Sequence, residues 1–140
     1  LLMPDLIRLS LSLEKPLFDR LEQMVTRSGY TNRSEFVRDM IRHQLVELEW
    51  DANAEVVGSL TIIYDHHARR LGEKLTELQH KHHKAVLATT HVHLSHEMCV
   101  EVILIRERAH RVRELADAIR QQKGVLHAEL SMASTGLSLH

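Results

Sequence analysis

The chain has one cysteine, Cys99, among its 140 residues. That excludes an internal disulfide framework and suits a reducing, cytoplasmic setting. No apolar run approaches the roughly 20 residues needed to span a bilayer. The opening LLMPDLI lacks the charged start and apolar core of a secretory signal. Net charge is missing too: 18 basic and 19 acidic side chains leave −1, so nothing attracts nucleic acid in general. Any DNA binding has to come from local placement. With two prolines and five glycines the chain is neither collagen-like nor linker-like, and its 44 % apolar content can fill a core.

What the chain does have is histidine, 12 in all, and the richest stretch is His80–Glu101, HKHHKAVLATTHVHLSHEMCVE. The β-rich run from Ala85 to Leu94 carries His91 and His93. Side chains alternate along a strand, so both imidazoles share one face. Ser95 to Met98 reads as a hairpin turn before a second apolar run. A hairpin symmetric about His96 sets His93 opposite Cys99 and His91 opposite Glu101, where opposed Cβ atoms lie roughly 4.5–5.5 Å apart. Two imidazoles and a thiolate suit zinc, copper or nickel, whereas magnesium and calcium want oxygen. A fourth ligand can come from His80, His82 or His83. Those three also sit well in a last helical turn, where they favour the helix dipole.

Near the N-terminus, Leu6–Leu13 (LIRLSLSL) alternates strictly: Ile7, Leu9, Leu11 and Leu13 on one face, Arg8, Ser10 and Ser12 on the other. This predicts a half-buried strand. Pro16 opens a helix carrying Leu17, Phe18, Leu21, Met24 and Val25, and Gly29 ends it. Asn32-Arg33-Ser34-Glu35 then caps a second helix with Phe36, Val37, Met40, Ile41 and Leu45 on its core face. A lone strand leaves its backbone groups unpaired. Pairing with the same strand of a second copy solves this, and the strand–helix–helix order resembles the ribbon-helix-helix DNA-binding fold. In that fold a two-stranded ribbon enters the major groove. Arg8, Ser10 and Ser12 would then face base edges, and the amides around Asn32, Arg33 and Ser34 would hold a phosphate.

Glu47–Val56 loses periodicity and reads as a hinge. After it come a strand at Gly58–Tyr64, a helix at about His67–Gln79 with Leu71, Leu75 and Leu78, and the two hairpin strands. A helix with Ala109, Val112, Leu115, Ala116 and Ile119 follows, Gly124 closes it, and VLHAELSM gives a last strand. The order β-α-β-β-α-β is the split ferredoxin-like (ACT-type) arrangement. The expected class is therefore α+β: a DNA-binding domain over residues 1–48, a linker over 49–56 and a metal-binding domain over 57–140.

GYTNRSEFVRD at Gly29–Asp39, QHKHH at Gln79–His83 and HVHLSHEMC at His91–Cys99 occur in this order in one chain. On those motifs the sequence resembles the NikR family of nickel-responsive transcriptional regulators over nearly its whole length. The resemblance implies a repressor that binds an inverted-repeat operator as a homotetramer, a dimer of dimers. It implies one square-planar Ni(II) per chain, held by His91, His93, Cys99 and a neighbouring subunit's His80. It also implies an alkali cation between the domains at Glu35 and Asp39, and a DNA phosphate contact by Arg69, where Ala68 replaces a basic residue. Glu101 would steady His91 from behind, as outer partners of ligating histidines do. Arg38 and Arg42 offer the two carboxylates an alternative pairing. His43, His66, His67, His110, His127 and His140 read as ordinary surface histidines, His66 and His67 with some capacity for weak metal.

Two other functions compete. A barrel metallohydrolase needs about 200 residues or more, and the chain has neither HExxH nor a clear water-activating base beside the His pair. The expectation is a chain that is not an enzyme. Metal storage or delivery would use the histidines but leave Arg8, Ser10 and Ser12 without purpose.

Overall fold

The computed structural model describes residues 5–140. Two compact units emerge, one reaching Leu45 and including Leu139–His140, the other covering Val46–Ser138.

In the first unit, helix α1 (Lys15–Arg27) begins at Pro16, whose fixed φ suits a first turn and whose missing N–H is not needed there. The chain leaves α1 through Gly29 at φ +73°, a left-handed conformation that glycine adopts without strain. Helix α2 (Arg33–Asp51) is capped by Asn32, whose Oδ1 accepts the Glu35 amide at 2.9 Å. Val25 and Phe36 are buried, and Tyr30 stands edge-on to Phe36 at 5.5 Å. The expected strand over Leu6–Leu13 is not formed within the chain. Those residues are irregular, with Ile7 91 % and Leu9 78 % exposed. The reason is physical: among the described residues of this unit no strand can take its hydrogen bonds. Leu17, Met24, Met40 and Ile41, expected in a core, are likewise exposed. About forty-five residues cannot bury them all alone.

The second unit is a four-stranded antiparallel sheet in the order β2-β3-β1-β4. Its strands are β1 (Glu55–Asp65), β2 (Val86–His93), β3 (Met98–Arg108) and β4 (Val125–Ala133). Helix α3 (Leu71–Lys81) joins β1 to β2, and α4 (Ala109–Arg120) joins β3 to β4. This is the ferredoxin-like order. Alternation is strict on β1: Val56, Leu60, Ile62 and Tyr64 are buried, and their neighbours are partly buried or, at Glu55, exposed. They pack with Ile103 and Ile105 of β3, Leu71 and Leu75 of α3, and all five expected α4 residues, Ala109, Val112, Leu115, Ala116 and Ile119.

Two boundaries differ from the sequence reading. The stretch expected as a hinge is the last turn of α2, a short turn and the start of β1. Trp50, which interrupts that acidic stretch, is 1 % exposed and donates its indole N–H to the Ala133 carbonyl at 2.8 Å. A buried aromatic with its polar edge satisfied fixes the helix end. The helix expected from His67 starts only at Leu71, because the Asp65 carboxylate accepts the His67 amide at 2.8 Å and turns the chain first.

A methyl group added at Gly58 would meet Val112 Cγ1 at 2.9 Å, Leu130 Cδ1 at 3.1 Å and the Trp50 ring at 3.2 Å. Gly58→Ala should therefore destabilise the second unit by about 1–3 kcal/mol through overpacking. Urea unfolding of the variant beside the wild type checks this.

Candidate metal centre

The hairpin register is the one that symmetry about His96 requires: His93 pairs with Cys99, and His91 with Glu101. The turn is held by the Ser95 hydroxyl, which accepts the Met98 amide at 3.0 Å, and by Leu94 N–H to Met98 O at 2.8 Å. Cys99 is fully buried, and its Sγ lies 3.3 Å from His93 Nδ1. The His91 and His93 rings are 5.1 Å apart, centre to centre. An exposed edge strand thus presents two imidazoles beside a sheltered sulfur.

Strand β1 adds a third layer. Tyr64 pairs with Cys99 and Ile62 with Glu101. Tyr64 lies 3.1 Å from His91 Nδ1 and donates to Glu101 Oε2 at 3.3 Å. A phenol has one proton, and the carboxylate is the stronger acceptor. The Tyr64 oxygen then accepts from His91 Nδ1–H, which leaves His91 Nε2 unprotonated and able to bind metal; the tautomer follows from this network. Burial, with the Glu101 charge second, pushes the Tyr64 pKa far up, so it stays a donor. The other Glu101 oxygen accepts from Gln79 Nε2 at 2.7 Å, and Gln79 Oε1 accepts from Thr89 at 2.7 Å. Glu101 is thereby satisfied although buried, and it fastens the end of α3 to the sheet next to His80.

The remaining expected residues fall into three groups. His80 is exposed at the end of α3, with the His83 ring 6.1 Å away; nothing in one chain brings it to Cys99. Arg8, Ser10 and Ser12 are exposed, as is Arg69. Arg33 pairs with Glu22 at 2.9 Å and lies over the Phe18 ring. Glu35 pairs with Arg38, while Asp39 accepts from Tyr30 and, at 3.0 Å, from Arg42.

Sequence reasoning missed His66 as a neighbour of the centre. Its amide donates to Glu97 O at 2.8 Å, which continues the β1–β3 ladder by one step beyond Asp65. Strand parity then puts its side chain on the face of Tyr64 and Cys99. Its ring stands edge-on to His93 at 5.2 Å, and ligand atoms of His66, His93 and Cys99 all lie within 4.8 Å of one another. Once β1 is known to neighbour β3, the spacing Tyr64-x-His66 carries that signal.

Residues 57–133 match the profile of the NikR C terminal nickel binding domain, and residues 7–48 match that of the ribbon-helix-helix proteins of the copG family. The chain belongs to the nickel-responsive regulator family. It is 44 % identical to such a regulator of Solibacter usitatus over 98 % of this chain and 99 % of that protein. It is equally identical to one of Geobacter sulfurreducens over 99 % of this chain and all of that one. The chain also resembles the solved structure of an uncharacterized protein of Thermotoga maritima, with TM-score 0.51 and 16 % identity over 56 % of this chain and 96 % of that chain, a likeness of fold alone. The chain is thus a non-enzymatic transcription factor with a ribbon-helix-helix region and a nickel-binding domain. Among the described residues no helix is long and apolar enough to cross a membrane.

Burial, reinforced by the Asp65 and Glu101 charges, raises the Cys99 pKa. A metal has to displace that proton, because the thiolate is the ligand. Below the raised pKa, one proton is released per metal bound, and apparent affinity should climb about tenfold per pH unit. Calorimetric nickel titrations between pH 7 and 8.5, in buffers of different ionisation enthalpy, measure both quantities; a pH-independent affinity would show that the thiol takes no part.

Proposed function

We propose that this chain is a nickel-dependent repressor in which Ni(II) is held by His91, His93 and Cys99, with His80 of a second copy as fourth ligand. The observation that carries this is the register His93–Cys99 and His91–Glu101, which sets two imidazoles and a thiolate on one face of two adjacent strands. The donor set fits nickel: soft sulfur with imidazole suits a tetragonal d8 ion. When bound, the metal would supply a rigid cross-link between copies. The protein's own groups do the rest: Tyr64 and Glu101 orient His91, and Gln79 ties the segment carrying His80 to the same carboxylate. Because His80 and Cys99 would come from different chains, the reading extends to a homotetramer built as a dimer of dimers.

The DNA side follows from what the first unit leaves undone. Residues 1–48, joined through 49–56 to the metal-binding residues 57–140, would pair Leu6–Leu13 with the same segment of a second copy. That ribbon buries Leu9 and Leu11 and turns Arg8, Ser10 and Ser12 toward base edges in a major groove. Asn32 and Arg33 at the start of α2, and Arg69 beyond β1, would meet phosphate. A two-fold protein reads two-fold DNA, so the operator is an inverted repeat. Nickel can raise operator affinity only if it binds the DNA-competent arrangement more tightly than the others. An alkali cation at Glu35 and Asp39 would have to displace Arg38, Arg42 and Tyr30, and would bind weakly for that reason.

Operator selection from random duplex DNA, with Ni(II) present, supplies the probe for the test. Wild-type protein should bind the selected duplex only with nickel and show a thiolate-to-nickel absorption band saturating at one metal per chain. Cys99→Ala should lose both band and DNA binding, whereas Arg8→Ala should lose DNA binding and keep the band. Nickel-independent DNA binding, or Arg8→Ala binding like wild type, contradicts the reading. A nickel band with no selectable duplex would favour storage or delivery.

A further inference from the structure

Helix α2 runs from one unit into the other without a break: it belongs to the first through Leu45 and to the second from Val46. Its last turns are fixed in the second unit, where Val46 packs against the core and Trp50 donates to Ala133 O. A second run of chain crosses the same boundary. After β4, Gly136 turns the backbone at φ +85°, and its amide donates to the Ser134 hydroxyl at 2.9 Å. The segment then lies back on α2: the Ser138 hydroxyl donates to Glu49 Oε1, and Arg42 Nε donates to Leu139 O at 3.2 Å. Ser138 groups with the second unit and Leu139 with the first, so each bond is made within its own unit. Arg42 and Glu49 stand two turns apart on one side of the helix, with Leu45 and Val46 between them. Residues beyond a last strand fray unless something ties them down. Here two adjacent residues are tied, one on either side of the boundary.

We propose that residues 134–140 form a strap that stiffens α2 across Leu45 and Val46, so that the DNA-binding unit follows the metal-binding unit instead of swivelling freely. A helix gripped at Arg42 on one side of a bend point and at Glu49 on the other cannot bend there until one bond opens. The grip on Arg42 also reaches further. Arg42 pairs with Asp39 at 3.0 Å, and Asp39 accepts from Tyr30, two residues before Asn32. The strap therefore steadies the turn that presents the start of α2. It is also weakly closed: ordering seven residues costs conformational entropy, and hydrogen bonds in reach of water return little of it. Glu49 Oε2, moreover, is buried without a hydrogen bond while the strap is closed. Two discrete states follow, closed and stiff or open and flexible, and the stiff one carries a change at the metal centre to the ribbon. That transmitting role rests on the nickel-repressor reading; the stiffening of α2 does not.

Gly136→Val opens the strap without touching either bonding partner: no atom lies within 4 Å of a Cβ there, and a β-branched residue is strained at that φ. Hydrogen–deuterium exchange, read by mass spectrometry, compares wild type, Gly136→Val, Ser138→Ala and a chain lacking residues 134–140. Amides of α2 between Arg42 and Glu49 should exchange about tenfold faster in Gly136→Val and in the deletion, the effect of losing one or two weak hydrogen bonds. Ser138→Ala should fall between these and wild type. Amides of α1 and α4 should keep their wild-type rates, which separates release of the strap from general unfolding. Unchanged α2 rates in Gly136→Val and the deletion overturn the proposal, and so does acceleration spread evenly over α1, α2 and α4. Nickel affinity should be the same in all four proteins. The factor by which Ni(II) raises affinity for the selected operator should fall toward one in the deletion, from the roughly 5- to 150-fold usual for coupled sites. An undiminished factor with a loosened α2 overturns the transmitting role. If Ni(II) leaves operator binding unaltered even in wild type, the nickel-repressor reading fails while the exchange rates still decide the strap.

Discussion

The pairing of β3 with both of its neighbours is the constraint on which the metal centre depends. β3 lies between β2 and β1, so Cys99 faces His93 on one side and Tyr64 on the other, and Glu101 faces His91 and Ile62. Strands have period two, and a slip of one residue would turn Cys99 and Glu101 to the outer face. It would also turn Ile103 and Ile105 out of the core. The burial of those two isoleucines, both fully buried, is therefore what keeps the cysteine in register. Apolar packing far from the sulfur fixes the chemistry at the sulfur.

A second consequence of the register is the carboxylate behind the histidines. Glu101 sits where an unpaired charge would be expensive to bury. Tyr64 and Gln79 meet that demand with two donated hydrogen bonds, at 3.3 and 2.7 Å. Gln79 belongs to α3 and precedes His80, so the same carboxylate that orients one histidine also anchors the helix end bearing another. Under the proposed function, ligation at His91 and placement of His80 are coupled through Glu101, which gives the metal a physical route to the position of α3.

Much of this was legible in the sequence, and the parts that were not share a cause. The hairpin register could be read because Ser95–Met98 is a compact turn flanked by alternating runs, and the α4 core because five apolar residues recur at helical spacing. His66 could not be found from β2 and β3 alone, since its approach to His93 comes from β1, a neighbour known only once the sheet order is set. Trp50 misled for a related reason: its surroundings in sequence are acidic and polar, while its surroundings in space are Gly58, Ala133 and Arg113. Local composition does not record a long-range contact. The segment Leu6–Leu13 marks the opposite limit, where the alternation is plain but the described residues form no strand there.

A subunit-mixing titration tests the proposed intersubunit nickel site most directly. His80→Ala and Cys99→Ala proteins are each titrated with limiting Ni(II), then unfolded together, refolded as a mixture and titrated again. Each variant alone lacks a complete ligand set. Under the proposed function, in mixed assemblies a His80→Ala chain would contribute His91, His93 and Cys99 while a Cys99→Ala chain would contribute His80. The thiolate-to-nickel band should then appear at nickel concentrations where neither parent shows it. A mixture that behaves as the average of its parents would mean that His80 and Cys99 do not share an ion across chains.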